Sequence, residues 1–190
     1  MNYFTKKSIT IIVVAVTIIG FTQCKSSKKT TTVPGEVEVI THCSGPDYSS
    51  NKDFFRANAI AESMDQQVSR QKALTQARSQ LAQQMQVRLK NVTDAYVNST
   101  SGNTVENLEQ RYEGLTREVT DQKLSGTRTI CEKTTKTQAG NFKTYVAIEL
   151  SGEDVLGAMN AKLSGDEKLR IDYDYEKFKK TFEEEMGKMQ

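Results

Sequence analysis

A single long apolar stripe constrains the fold of this chain more than any other feature. Apolar residues recur every three or four positions, which is the spacing of one face of an α-helix, at Ala73, Ala77, Leu81, Met85, Leu89, Val92 and Tyr96. Ser63 precedes Gln66 at the spacing of a capping box, so we expect the helix to begin there. The pattern predicts a helix of roughly 30 residues whose small Ala73 and Ala77 allow close approach to a sheet.

The segments around this helix carry the patterns of β-strands. Residues 36–43 and 142–150 alternate in the manner of strands, and residues 127–137 are separated from 142–150 by a turn at 139–141 that contains Gly and Asn. Residues 54–61 fit either a strand or a helix by pattern alone. The sequence therefore predicts an α+β fold, in which an antiparallel sheet of three to four strands is packed by the long helix.

A second helix is predicted to begin at Asn103 and to fold back on the first as a helical hairpin. The first helix has five basic residues and no acidic residue between Gln66 and Thr93, whereas residues 103–121 hold five acidic residues against two arginines. We interpret these charges as complementary within the molecule, and the alternative is a basic face that binds a partner. The apolar side of this second helix comprises Val105, Leu108, Tyr112, Leu115 and Val119.

Two further helices are predicted near the carboxyl end. Ser151 and Ser164 have the features of helix caps, and residues 164–190 form the expected C-terminal amphipathic helix. Its apolar stripe is core or a self-association surface, or it is a docking face for a partner. The stripe contains Ile171, Tyr175, Phe178, Phe182 and Met186, and the candidate docking residues are Tyr175, Phe178 and Phe182.

The amino-terminal segment has the layout of a secretory leader. Within residues 1–23, Lys6 and Lys7 precede an apolar run from Ile9 to Phe21 that is shorter than the ~20 residues of a membrane span. The run is followed by Phe21-Thr22-Gln23-Cys24, which resembles a bacterial lipoprotein signal. We expect lipid on Cys24 and a flexible tether over residues 24–35, and the alternatives are an uncleaved anchor or an ordinary secreted protein.

The charge balance excludes a strongly basic nucleic-acid binder and an acidic disordered chain. The whole sequence has 26 Lys and Arg residues against 24 Asp and Glu residues. Removal of the leader takes away Lys6 and Lys7 and no acidic residue, so the two signs would balance at 24 each. We therefore expect no nucleic-acid partner.

Two cysteines remain once Cys24 is assigned to lipid. Cys43 and Cys131 can form a disulfide in an exported protein, or they remain two buried free thiols. A disulfide closing so long a loop would add about 4 kcal/mol in the chain-entropy account, provided that the two Cα atoms lie within about 7 Å.

Residues with catalytic or metal-binding patterns are scarce. His42 is the only histidine, and on a strand its side chain would point away from that of Cys43, so the two would not share a metal ion. The sequence has neither a Gly-rich phosphate loop after a strand nor a Gly-x-Ser-x-Gly motif. We expect no catalytic residue, no cofactor and no metal.

Several segments together resemble the Lpp-twenty family of small lipoproteins in the Gram-negative envelope. They are Phe55–Ala61, Gln71–Ala82 with Val87–Leu89, Gly126–Ile130 and Tyr145–Leu150. The resemblance covers roughly residues 50–155 and implies an α+β module on the outer membrane, which here would occupy residues 36–163. It implies no catalytic residue.

These observations lead to an expected place and role. Lys25-Ser26 lacks the Asp that retains some lipoproteins on the inner membrane, so by resemblance to other lipoproteins we expect the periplasmic face of the outer membrane. The expected role is a non-catalytic structural or protein-interaction one, with an envelope protein or a second copy as partner. The alternative is a periplasm-facing carrier of a lipid or small apolar ligand.

Overall fold

A computed structural model describes residues 39–100 and 105–189, without the side chains of residues 105–109. The strands are β1 (Phe54–Ser63), β2 (Arg128–Lys136) and β3 (Phe142–Ser151), and the helices are α1 (Gln66–Thr100), α2 (Val105–Leu124), α3 (Gly152–Gly165) and α4 (Tyr175–Gly187). Short 3-10 helices lie at Pro46–Tyr48 and Leu169–Ile171. The predicted leader, Cys24 and the predicted tether lie outside the described residues.

The three strands form one antiparallel sheet in the order β1-β3-β2. Ile60 of β1 lies opposite Tyr145 of β3, and Lys133 of β2 lies opposite Tyr145 from the other side. Gly140 in the turn between β2 and β3 has a φ of 86°, a backbone conformation that glycine adopts without strain. The predicted α+β fold is confirmed with three strands, and residues 54–61, which fitted either element, belong to a strand.

The long helix packs along one face of this sheet. All seven apolar positions of its predicted stripe are buried. On β1 the buried residues alternate in the way that a half-covered strand requires, and they are Phe55, Ala57, Ala59 and Ala61. The alanines on both elements bring the helix close to the strand, and Val146, Ile148 and Leu150 of β3 complete the layer.

The start of α1 differs from the sequence prediction. The N–H of Val68 donates to the carboxylate of Asp65 at 2.9 Å, which is the bond that an N-cap makes. Ser63 is instead the last residue of β1 and lies opposite Phe142. The predicted cap at Ser63 is wrong because the strand continues through that position.

Helix α2 packs on α1 in an antiparallel manner. Tyr112 contacts Tyr96 with ring centroids 6.4 Å apart, whereas Arg78, earlier in α1, reaches Thr127 beyond the end of α2 with Nε 3.4 Å from Oγ1. Tyr112 and Val119 are buried, as their place in the stripe predicts.

The charged side chains of α1 and α2 form ion pairs with residues of other elements. Arg70 of α1 pairs with Glu132 of β2 at 2.7 Å, and Arg88 lies 3.6 Å from Glu185 of α4. Glu118 of α2 pairs with Lys162 of α3 at 2.7 Å. Among the described side chains, no ion pair joins α1 to α2, and the charges of these helices pair with other elements instead. The predicted complementarity between the two helices therefore stays a prediction.

The predicted strand over residues 36–43 is wrong for its described part. Residues 39–41 have no regular structure, and His42 and Cys43 form a turn. Cys43 has a φ of 56°, which lies in the left-handed region and is incompatible with an extended strand. Residues 36–38 lie outside the described residues.

Of the two carboxyl-terminal helices, α3 begins where predicted and the last helix begins later than predicted. Ser151 caps α3 as predicted, by accepting from the N–H of Asp154. Ser164 does not start the last helix, since α3 continues through Gly165, and α4 begins only at Tyr175 with Asp174 as its cap. Ile171 is consequently outside α4 and 77% exposed.

Candidate functional site

The sheet face opposite α1, here called the outer face, carries the described candidate site. Alternation along β1 places Arg56, Asn58 and Ile60 on this face, and the register places Tyr145 and Glu149 of β3 beside them. Residues 39–53, here called the strap, meet the same face. Cys24, the residue predicted to carry lipid, lies outside the described residues.

A disulfide fixes the strap to the sheet. Cys43 and Cys131 are bonded with an S–S distance of 2.10 Å and a Cα to Cα distance of 5.5 Å. Cys131 lies opposite Ala147 in the register of β2 and β3, and the ring of His42 contacts the ring of Tyr145 at 5.2 Å. Of the two states left open by the sequence, the structure contains the disulfide.

The other end of the strap is held at β1. The hydroxyl of Ser50 accepts from the N–H of Arg56 at 2.8 Å and donates to the C=O of Arg56 at 3.0 Å. The Ser50 hydroxyl also lies 2.9 Å from the side-chain amide of Gln84 on α1. The strap therefore crosses the sheet from β2 to the outer edge of β1.

One buried carboxylate joins all three strands. Glu149 of β3 is 5% exposed and accepts from Arg56 of β1, with Nε to Oε2 at 3.0 Å, and from Arg128 of β2 through its other oxygen. Burial acts to raise the pKa of Glu149, but the hydrogen bonds from Arg128 and Arg56 outweigh it and hold the pKa below its ordinary value. A carboxylate kept ionised between two arginines suits cross-strand pairing and does not suit proton transfer.

The proposed docking face on the last helix is wrong for two of its three residues. Phe178 is fully buried and Phe182 is 3% exposed. The Phe178 ring packs against Tyr96 at 5.3 Å and against Tyr173 at 5.8 Å. Tyr175 alone is exposed, at 38%. Phe178, Phe182 and Met186 of the stripe belong to the core, as their helical spacing allowed.

The open grooves on the surface of the described residues include two between neighbouring helices. One, of about 470 Å³, lies between α1 and α2, and Lys90, Asp94 and Arg117 are among its lining residues. The other, of about 490 Å³, lies between the start of α3 and α4, and its lining includes Tyr175 and Lys179. Both grooves are open to solvent, and each is lined by a mixture of charged, uncharged polar and apolar side chains.

Over residues 39–100 and 105–189, no group of three or more His, Cys, Asp or Glu side chains is arranged to hold a metal ion. In the same residues, no helix has both the length and the apolar character that a membrane span requires. Comparison of the chain with protein-family models and with curated proteins finds no match.

Sequence reasoning missed the Arg56, Glu149 and Arg128 cluster. The residues belong to three strands that are far apart in the chain, and nothing in the sequence pairs them until the register is known. One signal was available in the sequence. An outward-facing acidic residue on β3, Glu149, could pair with an outward-facing arginine on β1 and on β2.

Proposed function

We propose that this chain is a lipoprotein of the outer membrane, similar to the Lpp-twenty family. Lipid on Cys24 anchors it, and the domain lies on the periplasmic side. Its role is non-catalytic, either structural or as a binding partner of envelope proteins. The proposal joins the leader pattern before Cys24 to the fold that follows it.

The observation that carries this proposal is the disulfide between Cys43 and Cys131. Disulfides persist in oxidising compartments such as the periplasm and are rare in the cytosol. A bonded pair so soon after the predicted leader supports export. It also leaves Cys24 as the cysteine that is free for lipid, since the other two are paired with each other.

The anchor itself follows from the energetics of acyl chains. Each buried CH₂ contributes about 0.8 kcal/mol, so one chain gives marginal membrane binding and several chains on one cysteine give stable binding. A lipid on Cys24 thus removes the need for a membrane-spanning segment in the domain.

The packing of the core favours a role in interaction over a role as carrier. A ligand between α1 and the sheet would occupy the space that Phe55, Leu81 and Ile148 fill, and these side chains are at most 1% exposed. Binding there would require the helix to separate from the sheet, at the cost of the apolar contacts that hold the domain together.

Metabolic labelling with palmitate tests the anchor. The wild-type protein in a Gram-negative host should incorporate label, and Cys24→Ala should not, because the lipid bonds to that sulfur. Ser26→Ala, two residues away, should label like the wild type and serves as the matched control. Label that persists on Cys24→Ala would overturn the lipoprotein proposal.

Crosslinking in intact envelopes tests the role. A structural or interaction protein should co-purify with a partner protein, or with a second copy, in fixed proportion. Extraction of a bound apolar molecule from the purified protein, with no crosslinked protein, would instead support the carrier.

A further inference from the structure

The two outer strands of the sheet are protected in different ways. Because β3 is central, β1 and β2 each have one edge whose backbone groups do not pair within the sheet. Strand β2 carries charged side chains along its length, which discourage pairing with another strand, at Arg128, Glu132, Lys133 and Lys136. Strand β1 has no charged residue between Arg56 and Glu62.

The strap closes only the first half of the β1 edge. The N–H and C=O of Phe54 bond to Asn51, both at 2.9 Å, and the N–H and C=O of Arg56 bond to the Ser50 hydroxyl. Since alternate residues of an antiparallel strand direct their backbone groups to the same side, Asn58, Ile60 and Glu62 also direct theirs outward. Within the described part of the chain, no protein group bonds to these outward backbone N–H and C=O groups. The side chain of Glu62 accepts from the amide of Asn141 through one carboxylate oxygen, at 2.9 Å.

We propose that the open half of β1 pairs with the same segment of a second copy, forming a continuous six-stranded sheet. The two strands run antiparallel about a two-fold axis at Ile60. The segment is suited to this because it contains no Pro and no Lys, and Ile60 is 41% exposed. The pairing supplies partners for the outward backbone groups of both copies.

The side chains of this segment are complementary to themselves. A two-fold axis at Ile60 places Ile60 opposite its counterpart, so an exposed apolar side chain meets another. It places Asn58 opposite Glu62 on both sides of the axis, where the amide N–H can donate to the carboxylate. It places Ala59 opposite Ala61 beneath the helices. A patch that matches itself in this way is what a two-fold interface requires.

The side of helix α1 along the β1 edge carries mostly uncharged side chains, which could contact the second copy. The 2.9 Å contact between the Ser50 hydroxyl and the Gln84 amide shows that this side of α1 lies along the β1 edge. Helical spacing places Gln76 and Gln80 in the same exposed row. Lys72 begins the row and brings a like charge near the axis, so added salt, which screens it, should strengthen the association.

The symmetry is compatible with two anchors in one membrane. A two-fold axis between neighbouring antiparallel strands is perpendicular to the sheet, so the outer faces of both copies point the same way. Both disulfides then lie on the same side of the joined sheet. This step rests on the proposed function, and the pairing of the strands does not. Anchoring to a shared surface raises the effective concentration of each copy for the other.

Cysteine crosslinking in the full-length protein in its envelope tests the pairing and its register. With a mild oxidant, Ile60→Cys should form a disulfide dimer, because the paired Cα atoms would be about 5.5 Å apart. Asn58→Cys alone and Glu62→Cys alone should remain monomeric, whereas co-expression of the two variants should give dimers. Val87→Cys, at a position on α1 that is 64% exposed, and the wild type are the controls. Dimers of Ile60→Cys no more abundant than those of Val87→Cys would overturn the proposal.

Self-association can also be measured directly. We expect weak association, micromolar or weaker in solution, because one strand pair buries less than a standard interface of about 1,600 Å². Sedimentation of the purified full-length protein in detergent should show dimers that Ile60→Lys removes without changing the thermal melt. Dimers that persist in Ile60→Lys would contradict this use of the edge.

The same variants separate this proposal from the lipoprotein proposal. Palmitate-labelled protein that fails to crosslink at Ile60→Cys overturns the pairing alone. Crosslinking of Ile60→Cys that persists when Cys24 is also replaced by Ala supports the pairing independently of the anchor.

Discussion

Glu149 illustrates how a single residue holds the outer face together. Its two partners differ in exposure, since the Arg56 side chain is 16% exposed and that of Arg128 is 73% exposed. Removal of the carboxylate leaves Arg56 poorly solvated and unpaired, whereas removal of Arg128 leaves Glu149 paired with Arg56.

We predict that Glu149→Ala lowers the free energy of unfolding by about 2 kcal/mol, because it leaves a largely buried charge without a partner. Arg128→Ala should cost less than ~1 kcal/mol, as is usual for an exposed ion pair. Urea denaturation of both variants measures the difference. Equal losses of unfolding free energy in the two variants would mean that the buried pair between Glu149 and Arg56 adds no more stability than the exposed pair with Arg128.

Asp166 should make the domain sensitive to acid. Its carboxylate accepts from Arg111 at 2.8 Å and from the N–H groups of Leu169 and Lys168, which together lower its pKa from 3.8 to about 2. A carboxyl whose pKa is lower in the folded state contributes stability above its unfolded pKa. That contribution is lost as the pH falls from about 4 to about 2.

We therefore predict that Asp166→Asn has a shallower loss of stability between pH 4 and pH 2 than the wild type. Thermal melts across this range give the comparison. Parallel curves for the two proteins would show that Asp166 has the same pKa in the folded and unfolded states.

Helix α4 presents one face to the core and the other to solvent. Phe178 and Tyr175 lie on the same helix, one fully buried and the other 38% exposed. Phe178→Ala should lower the free energy of unfolding by about 3 kcal/mol or more through the cavity it leaves. Tyr175→Ala is the matched control and should cost under about 1 kcal/mol. A stable Phe178→Ala that loses only a binding partner would restore the docking interpretation.

Periodicity was sufficient to predict the elements that bury one face. The stripe from Ala73 to Tyr96 and the alternation in residues 142–150 predicted α1 and β3, because the whole stripe and the alternate residues Val146, Ile148 and Leu150 are buried. The cap at Asp65 and the late start of α4 could not be predicted, since each depends on where the preceding element stops. The turn at Cys43 depends on a contact with β2, which is distant in sequence.

At the scale of the whole molecule, the disulfide connects residues that are 88 positions apart. The loop that it closes contains β1, α1 and α2, so most of the domain is constrained in the unfolded state. The chain-entropy account gives about 4 kcal/mol for such a loop. The sequence left this bond open because only the folded sheet places the two cysteines together.

We predict that the double variant Cys43→Ala, Cys131→Ala melts roughly 8 to 16 °C below the oxidised wild type. A reductant should lower the melting temperature of the wild type by a similar amount and leave the double variant unchanged. The prediction would be contradicted if a reductant opened the disulfide, as shown by thiol labelling, and the melting temperature of the wild type did not change. The disulfide would then not stabilise the domain.

The pairing of charges could also be predicted only in part. The segregation of basic residues in α1 and acidic residues in α2 is visible in the sequence, but Arg70 and Glu118 pair with strands and helices on either side. Which residues form these ion pairs depends on which elements pack together in the fold, and the order of the elements along the sequence does not show this.

The proposed membrane anchor depends on the chemical state of Cys24. Mass spectrometry of the amino-terminal peptide of the protein, purified from a Gram-negative envelope, measures this state directly. We predict a peptide that begins at Cys24 and carries the added mass of a diacylglyceryl group and a further acyl chain. A peptide that contains Cys24 without added lipid would contradict the lipoprotein proposal, whether the leader is still attached or has been removed.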